Sequence, residues 1–431
     1  MRGVSITSLA PLVLINGAVL LVLCHGPVVG QHTGGRPQTT PDVLKPARGA
    51  APHSLSAVLT PPVLEMDDKG QITRSDVWCS ACEAAGRYAD GARVPAKPMR
   101  FGDQRLDNVL NWFRSRKETM PVVLATQHVR FLLRVTPRKS RLSAEADKWL
   151  KRLLPKMKQR STAHGRAHAL VMAMHAGEGR MAYALGLGSQ DPIKFDARKD
   201  YGKPSAVLDP PRGHYGSRSP MELVVIDDHK TYKAFGRHFL GAFGMETLHW
   251  YNKKSDSNLG LIDAAAIDHP ALRGRMTHML SHVFTASYRR YFNHLPAWFF
   301  AGHALCFEQF QESDSVTHCI GKGANRLPSR RVPPRSWRKW LHARVRSGKM
   351  TPIVKLIMKQ DVGELTLHER IESWGLVQFL MVCDRKCFRI FMDTLKTQKE
   401  SETLLELQYR AIRSAYGVDL ITWEKAWHAW L

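Results

Sequence analysis

Apolar residues alternate with polar ones or run unbroken over short stretches in the first half of the chain, and recur at helical spacing in the second. Residues 122–135 read as a strand pair or one long strand, and 221–226 as a further strand followed by a helix over 230–240. Helices are also expected at 107–116 and, as a basic amphipathic segment stopping before Pro155, at 144–154. Residues 193–220 hold Pro210-Pro211, several glycines and mixed charge, the mark of an irregular insertion. From Pro270 the pattern turns mainly helical. It opens with a helix over 270–292 whose Leu272, Met276, Met279, Leu280, Val283 and Tyr291 make an ordinary core stripe. The fold class is therefore α+β: a mixed N-terminal α/β lobe at 121–266 and a mainly helical C-terminal lobe at 267–431. About 400 residues beyond the first 30 can enclose one large core or two smaller ones.

The start of the chain bears on compartment. Arg2 precedes an apolar stretch from Leu9 to Leu23, and small residues stand just before Gln31, so residues 1–30 read as a secretory signal. Pro11 and Asn16 interrupt the apolar run, and an uncleaved signal anchor is the alternative. Residues 31–75 form a Pro, Gly and Thr-rich linker, and 76–120 a small cysteine-containing segment. Beyond the signal stand Cys79, Cys82, Cys306, Cys319, Cys383 and Cys387, an even set that favours disulfides in an oxidising compartment. Cys79 and Cys82 have CxxC spacing without a thioredoxin-like strand before them, which favours a structural pair over a redox centre. A four-cysteine zinc site made with Cys383 and Cys387 would require two distant segments to meet.

His278 and His282 carry the most specific chemical pattern. Two histidines at i and i+4 share one helical face and can share a metal; hydrolysis also needs a carboxylate beside the first histidine and a third ligand from another element. The residue after His278 is Met279, whose thioether takes no proton. Two readings stand: flanking residues of a core stripe, or a residual two-histidine zinc site without a complete ligand set. His303 lies two positions from Ala301 on the next helix, about 200° round it, and so points elsewhere.

The ordered set His278, His282, Pro296, Trp298, Gly302, Ala304 and Glu308 resembles the gluzincin branch of zincin-like metallopeptidases, closest to secreted peptidase-MA-like domains. There an HExxH helix is followed by a Pro-x-Trp-x-x-Glu-Gly-x-Ala-x-x-x-Glu helix. This chain departs at Met279 and Ala301, the positions that the resemblance assigns to proton transfer and to the third metal bond. Residues 351–357, 373–380 and 414–420 with Trp427 resemble downstream landmarks, so the likeness spans about Val122 to Leu431 and is strongest from Met276 onward. It implies a zincin-like fold, a hairpin within 244–266 lining a cleft, and a peptidase frame without its catalytic residues.

Charge adds a second theme. Lys and Arg total 63 against 38 Asp and Glu, a net +25, of which the first 30 residues contribute only Arg2. No acidic residue lies between Asp314 and Asp361, an interval that holds Arg330, Arg331, Arg335, Arg338 and Lys339 with Trp337 and Trp340 interleaved. Such a stripe either attracts polyanions, its rings stacking on bases or sugars, or is a solvated face with the tryptophans turned inward. For an exported protein an anionic cell-envelope polymer or phospholipid is a more natural partner than nucleic acid. Three functions are thus in play: an inactive zincin-like binding or scaffold protein that holds a peptide or glycan in its cleft, with no cofactor beyond a residual zinc; a zinc hydrolase using Glu308 or Glu372 as substitute base; and a basic surface-binding protein.

Overall fold

The computed structural model describes residues 104–126, 128–136, 163–186, 214–217, 219–241, 246–252, 257–265, 267–289, 295–317, 332–398 and 401–431, with short strand pieces between 65 and 101. The expectations for the signal, the helix at 144–154, most of the linker and most of the insertion at 193–220 lie outside these residues, as do Cys82, Cys319, Arg330 and Arg331. The end of the linker, expected to be unstructured, instead holds two short antiparallel strands, Glu65–Met66 and Ile72–Arg74.

Strands β1 (Trp78–Cys79), β2 (Val122–Ala125), β3 (Val129–Arg134), β4 (Met221–Ile226), β5 (Thr247–Asn252) and β6 (Ser257–Asp263) form one mixed sheet in the order β1-β2-β3-β4-β6-β5. β3 and β6 run parallel to β4, which lies between them, while the β1/β2, β2/β3 and β5/β6 pairs are antiparallel. All of β4 is buried, as expected of a central strand covered on both faces, and its register sorts neighbours by period two. Leu132, Val224 and Leu261 lie in one row, and Phe131, Leu223 and Gly260 in the next, facing the opposite side.

Each face has its own core. The first row packs with Val109 and Phe113 of α1 (Leu106–Ser115) and with Tyr232 and Phe235 of α3 (His229–Phe235). On the other face lie α2 (Ala163–Ala184) and α4 (His269–Ser287). The expected helix at 230–240 begins with Asp228 accepting from the Thr231 amide and passes at Gly236 into a π-turn that ends at Gly241, φ 67°. Helix α2 has no counterpart in the sequence reading. Ala167, Leu170, Val171, Met174, Met181 and Ala182 are all buried and together cover most of the circumference, so no single apolar stripe marks it.

Asp268 caps α4 by accepting from the Ala271 amide, with Pro270 in the first turn, where a missing N–H costs nothing. The helix stops at Ser287, short of the expected residue 292. Tyr288 leaves helical geometry there, donates to Asp393 at 2.7 Å, and is followed by Arg289 N–H donating to Tyr215 O at 2.7 Å.

The second half is helical, as the pattern indicated: α5 (Ala297–Gln311), α6 (Trp337–Arg346), α7 (Ile353–Ile357), α8 (Leu367–Cys383), α9 (Arg385–Leu395), α10 (Leu404–Tyr416) and α11 (Leu420–Trp430). Helix α5 is buried between α4 and α8. Gly302 permits that approach, since a β-carbon there would stand 2.4 Å from the Ser373 carbonyl oxygen. Thr366 with Glu369 and Thr403 with Glu406 form capping boxes on α8 and α10. Cys306, Cys383 and Cys387 are thiols, and no disulfide occurs among the described residues.

Because the obstacle at Gly302 is backbone, Gly302→Ala is expected to destabilise the protein by about 2 kcal/mol or more. Chemical denaturation checks this, with Ala304→Gly, which removes one methyl group from the same helix, as comparison.

Candidate functional site

Helix α4 presents His278 and His282 one turn apart, with ring centroids 4.7 Å from each other and ring planes at 84°. Helix α5 crosses it and brings Glu308 to His278, with Oε2 2.8 Å from Nδ1. Glu308 also accepts from Ser315 Oγ at 2.7 Å, Thr317 N at 2.9 Å and Thr317 Oγ1 at 2.8 Å. Burial alone would raise this carboxyl, but the His278 bond and charge and the Thr317 and Ser315 donors outweigh it and hold it below the usual range. An ionised Glu308 places a proton on His278 Nδ1, which donates to it. A carboxylate on the far nitrogen is also how metal-binding histidines are oriented.

Beyond that contact the resemblance to a working metal centre fails. Met279 is 2% exposed and reaches down onto the sheet. A β-carbon at Gly260 would meet Met279 Cγ at 2.2 Å and Leu223 Cδ2 at 2.8 Å, so the glycine in β6 leaves the space that the thioether fills. Ala301, also buried, offers no ligand, and the adjacent Phe300 ring stacks on His282 at 3.9 Å and 22°. His303 turns to Ser281, Nδ1 2.6 Å from Oγ, because α5 runs unbroken past Ala301. Among the described residues no group of three His, Cys, Asp or Glu side chains is arranged to hold a metal ion.

Two participants have no sequence signal. His249, on edge strand β5, lies 3.2 Å from Asn258 Oδ1, and Asn258 donates to Ser287 Oγ at 3.0 Å. Lys396, 6% exposed after the end of α9, donates to Ala286 O at 3.2 Å in the last turn of α4. A cation suits a helix C-terminus, but burial brings this ammonium down to about 7. Burial also lowers His282 well below its ordinary value, with the fields of His278, His249 and His303 adding to it. His249 falls to about 4 by burial, against the Asn258 bond and helped by Lys396; His303 falls to about 3 by burial. His282, His249 and His303 are thus held as neutral imidazoles by burial.

The substitute bases are committed elsewhere. Glu308 is occupied by four donors, and Glu372 faces Arg344 Nε at 3.1 Å and Thr351 N at 3.3 Å, its carboxyl raised mainly by burial. In the basic stripe Trp337 is a core residue, not a stacking platform: it is 1% exposed, packs edge-on against Trp374 and donates to Val332 O at 2.8 Å. Trp340 is half-buried between His368 and Arg344.

Comparison of the chain with protein-family models, curated proteins and solved structures found no match.

Since Met279 occupies an apolar place against the sheet, Met279→Glu is expected to cost on the order of 3 kcal/mol, and Met279→Leu less than about 1.5 kcal/mol. Equal denaturation midpoints for the two variants would contradict this packing. The depressed histidines set a pH dependence as well. Their unfolded forms take up protons near pH 6.5 and the folded forms do so only near 4 and 3, so stability is full above about 6.5 and declines as pH falls toward 4. The thermal midpoint should drop over that interval, and the drop should be shallower in His249→Asn.

Proposed function

We propose that the protein is an exported, zincin-like pseudo-metallopeptidase that works by binding rather than by hydrolysis. The observation that carries this reading is the contrast between the motif positions that remain and those that differ. Gly302 permits the α5–α8 approach, Trp298 donates from Nε1 to Gln408 Oε1 at 2.7 Å, and Glu308 anchors His278. These are packing roles that a fold needs whether or not it hydrolyses anything. Met279 and Ala301, where the resemblance asks for a base and a ligand, are buried apolar side chains. Loss of a general base alone removes about 10²–10⁴-fold in rate.

The cleft that the resemblance implies would lie beside β5, the last strand of the sheet among the described residues, and such a strand can take on an extended peptide by main-chain hydrogen bonding. Export rests on the N-terminal pattern. No helix among the described residues is long and apolar enough to cross a membrane.

Metal content, measured by plasma mass spectrometry on protein purified without chelators or a histidine tag, tests the reading together with peptidase assays in added zinc. The expected result is sub-stoichiometric zinc, unchanged in His282→Ala, which leaves the His278–Glu308 bond in place, and no cleavage of denatured protein or peptides. Near-stoichiometric zinc that disappears in His282→Ala, accompanied by turnover, would overturn it in favour of a hydrolase.

A further inference from the structure

The outward side of α6 and its continuation into α7 is the strongest feature that the histidine cluster does not use. Trp337 and Leu341, one turn apart, fix the buried side of α6. The opposite side carries Lys339 and Arg346, Arg335 stands in the turn before the helix, all three exposed, and the chain continues to exposed Lys349 and Lys355. No carboxylate occurs in sequence from 315 to 360 to balance them. The crowding of positive charge is felt at His342, whose pKa is lowered by burial and then by Arg338 and Arg346. Arg344 turns inward to Glu372, and Arg338 lies over the Trp430 ring at 4.5 Å.

Beside these cations stand large apolar side chains in water: Val354 at 41% exposure, Met358 at 59% and Ile421 at 64%. Val354 and Met358 are one turn apart with Lys355 between them. Ile353 N–H donates to Glu424 Oε1 at 2.9 Å, tying the start of α7 to α11, and Ile421 is one turn before Glu424. Arg338 of α6 donates to Trp430 O at the other end of α11 at 3.4 Å, so the helices that carry the cations and those that carry the aliphatic side chains are joined through α11.

We propose that this region docks on an anionic phospholipid bilayer, with the α6 cations against headgroup phosphates and Val354, Met358 and Ile421 at the acyl boundary. A soluble polyanion would satisfy the cations and leave the aliphatic side chains in water, whereas a bilayer accommodates both. Base stacking is disfavoured, because Trp337 is in the core and the half-buried Trp340 ring is already engaged by His368 and Arg344. The surface is independent of the histidine cluster, so it holds whether or not the protein hydrolyses a substrate.

Co-sedimentation of the full chain with phosphatidylcholine vesicles, with and without phosphatidylglycerol, is the test, run beside Arg335→Glu/Lys339→Glu/Arg346→Glu and Met358→Asp/Ile421→Asp. The apolar stretch at 9–23 is common to all the proteins, and pure phosphatidylcholine measures its contribution. All substituted side chains are exposed, so the unfolding midpoint should hold and serves as the folding control. Phosphatidylglycerol should strengthen binding by about tenfold or more, and the charge variant should lose that gain. The apolar variant should bind more weakly, most visibly at high salt, where the electrostatic contribution is screened. The proposal is overturned if phosphatidylglycerol gives no gain, if either variant binds like the parent, or if heparin or duplex DNA binds while the vesicles do not.

Discussion

The contact on which the C-terminal half depends is the buried bond between His278 and Glu308. Both side chains are essentially without solvent, at 1% and 0%, and the carboxylate is charged in an interior where an isolated charge would cost several kcal/mol. Three things offset that cost: the imidazole, the hydroxyls of Ser315 and Thr317, and the Thr317 backbone amide. The bond joins α4 to α5, and the same carboxylate gathers the chain that leaves α5 back onto α4, where Ser315 packs against Gly274. Removing one partner leaves the others with a buried charge to satisfy.

Around that bond the geometry follows from small residues at close approaches. Gly302 lets α5 reach α8, Gly260 lets α4 reach the sheet through Met279, and Gly375 gives room to Leu341 of α6. At each of them a larger side chain would push neighbouring layers away from one another, and together they set the distances at which the histidines meet. His282, His249 and His303 then lie among Phe300, Ser281 and Asn258 as packed, neutral rings. A neutral ring is the form that ligates metal, and it is also the form that an apolar core imposes. What separates the two is the number of converging donors, and among the described residues no group of three His, Cys, Asp or Glu side chains is arranged to hold a metal ion.

Strand and helix periods made most of this architecture legible. The β2–β3 pair, the β4 strand and the long helix of the histidine pair lie where alternation or helical spacing put them, and the hairpin of β5 and β6 falls within 244–266, where the resemblance implied one. Helix α2 escaped because it is buried around most of its circumference, so that no face differs from another. The histidine spacing showed which residues share a face of α4. It could not show that Phe300 stacks on His282, that His249 arrives from the sheet edge, or that Lys396 reaches the end of α4, since these depend on elements far apart in the chain meeting in space. Trp337 illustrates the opposite error. Among so many cations it invited a binding role, yet its spacing with Leu341 was already that of a buried side.

Under the proposed reading a peptidase frame has become a structural one, and the charge balance explains why half of the motif would outlast the chemistry. Replacing the base by a methionine puts an apolar group into an apolar place, and replacing the ligand by alanine removes a charge that then needs no partner. Both changes favour stability. Replacing Glu308 or His278 alone does the reverse, because either leaves a buried polar partner unmatched. Selection for folding alone would therefore hold the His278–Glu308 pair while releasing the positions now held by Met279 and Ala301. The surviving pair is evidence of how the core is held together, and function has to be sought where side chains meet solvent.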